Sequence, residues 1–172
     1  MLKPLVAAFG AAVVVAGLAS AAPQADTYKL TANLKARFEV PRPQGVPSGA
    51  TGLFTGTAVE LERDRARVTW RLTFAKLSGG AGAAHIHKGK AGRAGGVMLA
   101  LCGPCRSGQR GTATISHAQL RTIRTGAAYV NVHTAKNAAG EIRGQVRSSE
   151  QAGSTDPPPP PPNPTPPPDP YP

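Results

Sequence analysis

The dominant pattern in this chain is the alternation of apolar and polar residues, which has the two-residue period of a β-strand. Apolar side chains occupy alternate positions from Tyr28 to Val40, and Pro41 ends the run. Two further runs, 53–61 and 66–74, are joined by a short polar turn, which is typical of a hairpin. We therefore expect three strands in the first half of the chain.

Three arginines and two threonines occupy the outward face of the third predicted strand. Further basic side chains follow in the glycine-rich segment 88–96, which has the composition of a flexible loop. Charged residues at such positions are candidates for contact with an acidic partner. The candidate basic surface consists of Arg65, Arg67, Arg71, Lys88, Lys90 and Arg93.

Several shorter segments also have the composition of strands, and turn residues separate them. They are 84–87, 97–101, 111–115, 127–134 and 141–147. The chain lacks the regular alternation of strand and helix that a parallel sheet requires. The predicted fold class is all-β, an antiparallel Greek-key-like sandwich or barrel with one short helix.

The single helical pattern begins at Ser116, a residue type that caps helix N-termini. Gln119 follows at the spacing of a capping box. Leu120 and Ile123 are placed to share one face, and Gly126 is a typical residue for ending a helix. We expect a short helix with a buried apolar face.

The last predicted strand alternates in the same way as the others. Its small and apolar residues, Ile142, Gly144 and Val146, are predicted to face the core. The polar residues between them are predicted to face away from the core. These are Glu141, Arg143, Gln145 and Arg147.

The two ends of the chain differ from its middle. Residues 1–21 combine a single early lysine, an uncharged apolar run and a small-residue cleavage site, as in a secretory signal peptide. The alternative, a membrane anchor, is disfavoured because the run is shorter than the ~20 residues that span a bilayer. The predicted domain is 22–149, and we expect no transmembrane segment in the mature chain and export to the periplasm, cell envelope or medium.

Residues 150–172 hold 12 of the 18 prolines of the chain. Such a segment cannot pack into a core and favours polyproline II, so a disordered tail is expected. The tail would act as a spacer or dock into an aromatic groove of a partner.

The chain carries a formal net charge of +11, and all but one of its 20 Lys and Arg residues lie in 22–149. A surplus of this kind favours polyanionic partners or serves only solubility. The expected partners are an acidic envelope component or another extracytoplasmic protein. Nucleic acid is not expected as a partner, because an exported protein leaves the compartment that holds most nucleic acid and because aromatic residues for base stacking are scarce.

Several stretches of the sequence resemble the CHRD family, the domain found in chordin and in many secreted microbial proteins. They are FEVPRP, TGLFTGTAVEL, VTWRLTFAKLSG, AAHIHKGKAG, ISHAQLRTIRTG and YVNVHTAKNAAGEIRGQV, which together span 28–147. The resemblance implies an all-β extracellular domain without an established enzymatic activity. Chordin is a secreted growth-factor antagonist, but that role depends on its other modules and is not carried over.

Three histidines form a candidate metal site. His85 and His87 lie at i and i+2 of one predicted strand and therefore share a face. His133 lies in a distant strand, and the three imidazoles would meet if the two strands are neighbours. A set of three nitrogen ligands suits Cu²⁺ or Zn²⁺. The alternatives are imidazoles that brace the fold through hydrogen bonds, and a ligand site without metal.

The histidine pattern is similar to that of Cu/Zn superoxide dismutases, which also place a His-x-His strand beside a distant histidine on a β-sandwich. The similarity is one of pattern only. The bridging histidine and the zinc carboxylate of those enzymes have no clear counterpart in this sequence. A dismutase is therefore not expected.

Cys102 and Cys105 have the CxxC spacing of redox proteins, but a loop-like segment follows them where redox chemistry needs a helix. In an exported protein, a local disulfide is the simplest expectation. A redox pair and a pair of metal ligands are the alternatives.

The sequence contains no recognisable nucleophile–base set, paired carboxylates or phosphate-binding glycine loop, so an enzyme is not favoured. The leading hypothesis is an exported, non-enzymatic binding or structural domain with a basic surface. The alternative is a copper- or zinc-binding protein that uses the three histidines.

Overall fold

The computed structural model describes residues 25–151, which form a nine-stranded sheet with one α-helix and one 3₁₀ turn. The elements are β1 (Thr27–Lys35), the 3₁₀ turn Ala36–Phe38, β2 (Thr51–Leu61), β3 (Arg65–Ala75), β4 (Ala81–Lys88), β5 (Val97–Cys102), β6 (Gln109–Ser116), α1 (His117–Arg124), β7 (Ala128–Thr134), β8 (Ile142–Gln145) and β9 (Arg147–Gln151). The predicted signal peptide and nearly all of the predicted tail lie outside the described residues. Within residues 25–151, no helix is long and apolar enough to cross a membrane.

The strands follow the order β5-β4-β7-β8-β1-β2-β3-β6, and β9 pairs with β1. All paired strands are antiparallel. The sheet curves into a nearly closed, barrel-like shape. The prediction of an all-β antiparallel fold with one short helix is confirmed at this level.

The hydrophobic core lies inside the curved sheet. In β1, and in β3 as far as Leu72, every second residue is buried, as the alternation predicts. Helix α1 adds Leu120 and Ile123 to the core, and its first turn carries the predicted capping box between Ser116 and Gln119. Full burial of an aliphatic side chain contributes about 1.5–3 kcal/mol, so this continuous apolar interior is the main source of stability.

The first strand is shorter than its alternation predicts. It ends at Lys35, and the 3₁₀ turn Ala36–Phe38 changes the direction of the next side chains. Phe38 is consequently 44% exposed, whereas Glu39 is 2% exposed. The prediction of an apolar inward face up to Val40 is wrong, because the turn breaks the two-residue period.

The last predicted strand divides at Val146, so that β8 pairs with β7 and β9 pairs with β1. Its small and apolar residues face the core as predicted. Glu141 and Arg143 do face away from the core, yet both are fully buried. The face that they occupy is covered by other parts of the chain, which strand alternation cannot predict.

Candidate metal centre

Strands β4 and β7 are neighbours, and their register brings the three histidines together on the outer face of the sheet. His85 lies opposite Asn131, His87 lies opposite Tyr129, and Ala83 lies opposite His133. His133 is therefore the diagonal neighbour of His85, and the small Ala83 leaves room for its ring. The side chain between the two β4 histidines, Ile86, is buried in the core.

The three imidazoles form a compact cluster. His85 Nδ1 lies 3.0 Å from His133 Nε2. The ring centroid of His85 is 5.5 Å from that of His87 and 4.9 Å from that of His133. One nitrogen from each ring can be chosen such that all three lie within 4.8 Å of one another. The pairing of strands that the metal hypothesis requires is therefore present.

Backbone carbonyls assign the tautomers of two of these rings. His87 Nδ1 lies 2.9 Å from the Gly95 carbonyl oxygen, and His133 Nδ1 lies 2.9 Å from that of Ala138. A carbonyl oxygen only accepts hydrogen bonds, so both Nδ1 atoms carry the proton in the neutral rings. The lone pair of each ring is then on Nε2. Metal-binding histidines are commonly fixed by an outer hydrogen bond of this kind.

The remaining hydrogen-bonding atoms of the cluster differ in their partners. His85 Nδ1 donates to the lone pair of His133 Nε2, given the tautomer of His133. His87 Nε2, in contrast, is buried and has no hydrogen-bond partner among the described residues. A buried lone pair without a donor costs free energy, and native proteins normally satisfy such atoms. His87 Nε2 thus has the character of an unused ligand atom.

The environment keeps the rings of His85 and His133 in the form that binds metal. Burial lowers the pKa of His85, and the neighbouring His133 and His87 lower it further. Burial also lowers the pKa of His133 and outweighs the opposing hydrogen bond to the Ala138 carbonyl. Both rings are therefore neutral at neutral pH, and neutral imidazole is the ligand form.

The cluster is close to the dimensions of a mononuclear site. Zn²⁺ and Cu²⁺ sites have metal–nitrogen distances of about 2.0–2.1 Å, so two ligand atoms of one ion are at most about 4.2 Å apart. The ligand atoms here lie within 4.8 Å of one another. The ligand atoms therefore have to move closer together before they can share one ion.

The glycine-rich loop after β4 holds His87 in place. Its Gly95 accepts the hydrogen bond from the imidazole and also contacts the Tyr129 hydroxyl. A Cβ atom at Gly95 would collide with the carbonyl group of Lys88, so only glycine allows this close approach. The loop predicted to be flexible is therefore tied to the sheet by specific hydrogen bonds.

Next to the histidines, a second group of polar side chains continues along the same face. The His87 ring stacks on the Tyr129 ring with centroids 4.9 Å apart. The guanidinium carbon of Arg143 lies 3.4 Å from the centroid of the Tyr129 ring. Because β7 lies between β4 and β8, the Tyr129 side chain links the histidine cluster to Arg143. This arrangement was not predicted from the sequence. There, Arg143 is only one of the alternating polar residues predicted to face away from the core.

Beyond Arg143 lies the buried carboxyl group of Glu39. Burial raises the pKa of Glu39 to about 7, although the Val40 backbone N–H and the charge of Arg143 act in the opposite direction. No sequence pattern indicates this residue, since it follows the end of an alternating run. Its position depends on the 3₁₀ turn that ends β1.

Glu141 occupies the other side of the cluster and connects three segments of the chain. Its carboxylate accepts hydrogen bonds from the Ser78 backbone and hydroxyl, from Thr134 at 2.6 Å and from Asn137 at 3.1 Å. Burial alone would raise the pKa of Glu141, but these donors outweigh it and lower the pKa. Glu141 thereby fixes the loop that carries Ala138, the hydrogen-bond partner of His133.

The cysteines and the fourth histidine lie apart from the cluster. The sulfur atoms of Cys102 and Cys105 are 2.06 Å apart, as in a disulfide, at the end of β5. Neither is in the group of residues 25–151 that could hold a metal ion. His117 begins α1 and lies 3.7 Å from the carboxylate of Asp64.

The candidate basic residues come from two parts of the chain. Those of β3 are exposed along the outer face of that strand, and Arg71 lies directly opposite Arg110 of β6. Lys88 is at the end of β4, and Lys90 and Arg93 are exposed in the loop beside the histidines. Three of the six residues thus lie on β3, and the other three lie in the segment that runs from the end of β4 into the following loop.

An antiparallel, barrel-like sheet with a polar outer layer defines this protein as a small β-domain whose candidate chemistry lies outside its core. The chain belongs to the CHRD domain family, because the model of that family matches residues 30–146. The resemblance noted in the sequence is thus confirmed. Comparison with curated proteins and with solved structures gave no match.

Proposed function

We propose that this chain is an exported, non-enzymatic CHRD domain that binds a single Cu²⁺ or Zn²⁺ ion through His85, His87 and His133. The observation that carries the proposal is the orientation of the rings. His133 directs a lone pair on Nε2 at His85, and the lone pair of His87 is also on Nε2, because a backbone carbonyl binds the opposite nitrogen of each of these rings. The His87 lone pair has no donor among residues 25–151.

The structural alternative explains these features less completely. Imidazoles that only brace the fold would be expected to use both ring nitrogens in hydrogen bonds. His133 does so, but His87 does not. A bound cation would satisfy the His87 lone pair and would replace the contact between the other two rings. A copper or zinc ion bound in this way is therefore the better account of the cluster.

The ligand set favours borderline metals over hard ones. Three imidazoles and no carboxylate suit Cu²⁺ and Zn²⁺ rather than Ca²⁺ or Mg²⁺, which prefer oxygen ligands. By the general order of divalent affinities, Cu²⁺ should bind more tightly than Zn²⁺. Three protein ligands leave a coordination position for water or another small ligand.

Export is part of the proposal and is supported by the sequence pattern of residues 1–21 and by family membership. The family is one of extracellular-type domains. Outside the cytosol, the protein would encounter copper and zinc without competition from cytosolic thiols. The cysteine pair, if oxidised, would not compete for the metal.

The test is a chelator-competition measurement of Cu²⁺ and Zn²⁺ affinity on the full chain without an added histidine tag. We expect one equivalent to bind, and each of His85→Ala, His87→Ala and His133→Ala to weaken binding by at least about 100-fold. His117→Ala is the matched control and should leave affinity unchanged, since His117 lies on α1 outside the cluster. Equal affinity in all four variants and the wild type would rule the site out.

A second candidate function is contact with an acidic envelope component through the exposed arginines of β3. It is favoured by the row of Arg65, Arg67 and Arg71, whose side chains are all exposed on one face. Binding of this kind depends steeply on salt concentration, whereas metal binding by the histidines does not. Substituting Arg67 and Arg71 by Gln should remove the salt-dependent binding and leave metal affinity intact.

A further inference from the structure

A cavity of about 670 Å³ lies on the outer face of the sheet beside β1 and β8. Its walls come from the outward side chains of β1, from the 3₁₀ turn with the residues that follow it, and from the loop at 91–92. This volume lies within the range of small-ligand sites, which is about 300–1,000 Å³. The cavity is distinct from the histidine cluster and shares none of its three residues.

The cavity is strongly basic. Five basic side chains and one acidic side chain line it, namely Lys35, Arg37, Arg42, Arg143, Arg147 and Glu39. Burial raises the pKa of the acidic residue to about 7, so near neutral pH it carries only part of a charge. A concave surface lined by one sign of charge concentrates its electric field and attracts ions of the opposite sign.

Arg143 gives this cavity a buried cationic floor. The residue is 1% exposed, and Nη2 donates to the carbonyl oxygens of Lys90 and Arg93 at 3.0 and 2.9 Å. Nη1 has no hydrogen-bond partner, and no carboxylate oxygen of residues 25–151 lies within 4.0 Å of the guanidinium. Buried charges are normally paired, because an unpaired one is costly. Glu39, the acidic side chain of this cavity, is partly protonated near neutral pH and does not balance the charge of Arg143, so the base of the cavity stays positive and favours an anionic ligand.

One wall of the cavity is aromatic and open to solvent. Phe38 is 44% exposed, and the guanidinium carbon of Arg37 lies 4.7 Å from the centroid of its ring. An exposed ring beside cationic groups suits a ligand that combines an apolar face with an anionic group. A pyranose ring that carries a carboxylate has both features, and the planar fork of Arg matches a carboxylate with two hydrogen bonds.

We propose that this cavity binds an acidic saccharide, a uronic acid unit whose carboxylate pairs with the arginines and whose ring face covers Phe38. The proposal does not depend on metal binding by the histidines. It also differs from contact through β3, because β2 separates the row of arginines on that strand from β1. Binding in the cavity would be selective for one class of ligand, whereas the exposed arginines of β3 would attract any anion.

The experiment is isothermal titration of the full chain with digalacturonate, with a neutral disaccharide of similar size as a second ligand. We expect digalacturonate to bind at least about tenfold more tightly than the neutral sugar. The double variant Arg42→Gln/Arg147→Gln removes two charges from the rim without changing a buried residue. It should weaken digalacturonate binding by at least about tenfold, which is roughly the contribution of one charge-assisted hydrogen bond.

Two controls separate a site from general charge. Arg67→Gln/Arg71→Gln removes the same charge from β3 and should change affinity by no more than about twofold at physiological salt. Phe38→Ala should weaken the binding of digalacturonate but leave the binding of inorganic phosphate unchanged. The proposal is overturned if the β3 variant weakens binding as much as the rim variant, if the neutral sugar binds equally well, or if inorganic phosphate displaces digalacturonate at equal concentration.

Discussion

His85 Nδ1 and His133 Nε2 lie 3.0 Å apart although 48 residues separate them along the chain. Their contact depends on the antiparallel register of β4 and β7, which makes the two residues diagonal neighbours. Adding His87 produces a cluster in which backbone carbonyls fix two ring tautomers. The candidate centre is thus a product of strand register and of two loops that cover the outer face.

The first prediction concerns the loop that orients His87. Gly95→Ala would place a methyl group against the Lys88 carbonyl and displace the acceptor of the His87 hydrogen bond. We expect copper affinity to fall by about 10–100-fold, as is typical when an outer hydrogen bond to a ligand is lost. Competition titration measures this. Gly96→Ala is the matched control, because a methyl group there meets no atom within 4 Å. Equal affinities of the two variants would contradict the role given to Gly95.

The second prediction concerns the buried carboxylate that joins three segments. Glu141→Gln replaces one carboxylate oxygen by an amide nitrogen, which can only donate. Ser78, Thr134 and Asn137 all donate to this carboxylate, so the new amide N–H₂ group would face other donors. We expect the free energy of unfolding to fall by about 3 kcal/mol, as measured by urea denaturation at neutral pH. The exposed Glu150→Gln is the control and should stay within about 0.5 kcal/mol of the wild type.

The pH dependence of that effect has a defined sign. The pKa of Glu141 is lower in the folded protein than its usual value. Its stabilising contribution is therefore present at neutral pH and is lost as the pH falls through the folded pKa. The stability difference between the wild type and Glu141→Gln should shrink in acid, and a difference that grows in acid would refute the assignment.

The third prediction concerns Glu39, whose effect on stability depends on pH in the direction opposite to that of Glu141. Its pKa rises from 4.5 to about 7 on folding, so the folded state holds this proton more strongly than the unfolded state. The contribution of Glu39 to the free energy of unfolding is fully present below pH 4.5. It is lost as the pH rises toward 7, by up to about 3 kcal/mol in all. Glu39→Gln mimics the protonated form and should be more stable than the wild type at pH 8 but not at pH 4. Denaturation at both pH values measures the difference, and an equal difference at the two would contradict the prediction.

The fourth prediction concerns the helix cap. The Ser116 hydroxyl accepts a hydrogen bond from the Gln119 backbone, and the Gln119 side chain accepts one from the Ser116 backbone. Ser116→Ala should lower the free energy of unfolding by about 1 kcal/mol. Ser149→Ala, at an exposed position of β9, should have little effect. If the two variants unfold at the same denaturant concentration, the cap contributes nothing.

Local patterns predicted much of the fold. Alternation located β2 and β3 closely, and cap residues located α1, because these elements are specified by neighbouring residues. The prediction failed where the chain leaves regular structure. The 3₁₀ turn after Lys35 exposes Phe38 and buries Glu39, the opposite of what the alternation predicts. A single turn of this kind is not visible in any periodic pattern of the sequence.

The site was predicted only in part for a related reason. The spacing of His85 and His87 showed that they share a face, but the proximity of His133 depends on which strands are neighbours. The burial of Arg143 depends on carbonyl groups of Lys90 and Arg93, whose side chains are not involved. Backbone contacts from a glycine-rich loop leave almost no trace in the sequence.

The central claim is that the three imidazoles bind one metal ion through the nitrogens that face one another, and zinc titration followed by ¹H–¹⁵N NMR of the histidine rings tests it most directly. Without metal, His87 and His133 should both show a proton on Nδ1, because carbonyl oxygens bind those atoms. One equivalent of Zn²⁺ should shift the Nε2 resonances of both rings and one nitrogen of His85, while His117 stays unchanged. Ring resonances that do not respond to Zn²⁺, or that respond equally in His117, would contradict the account.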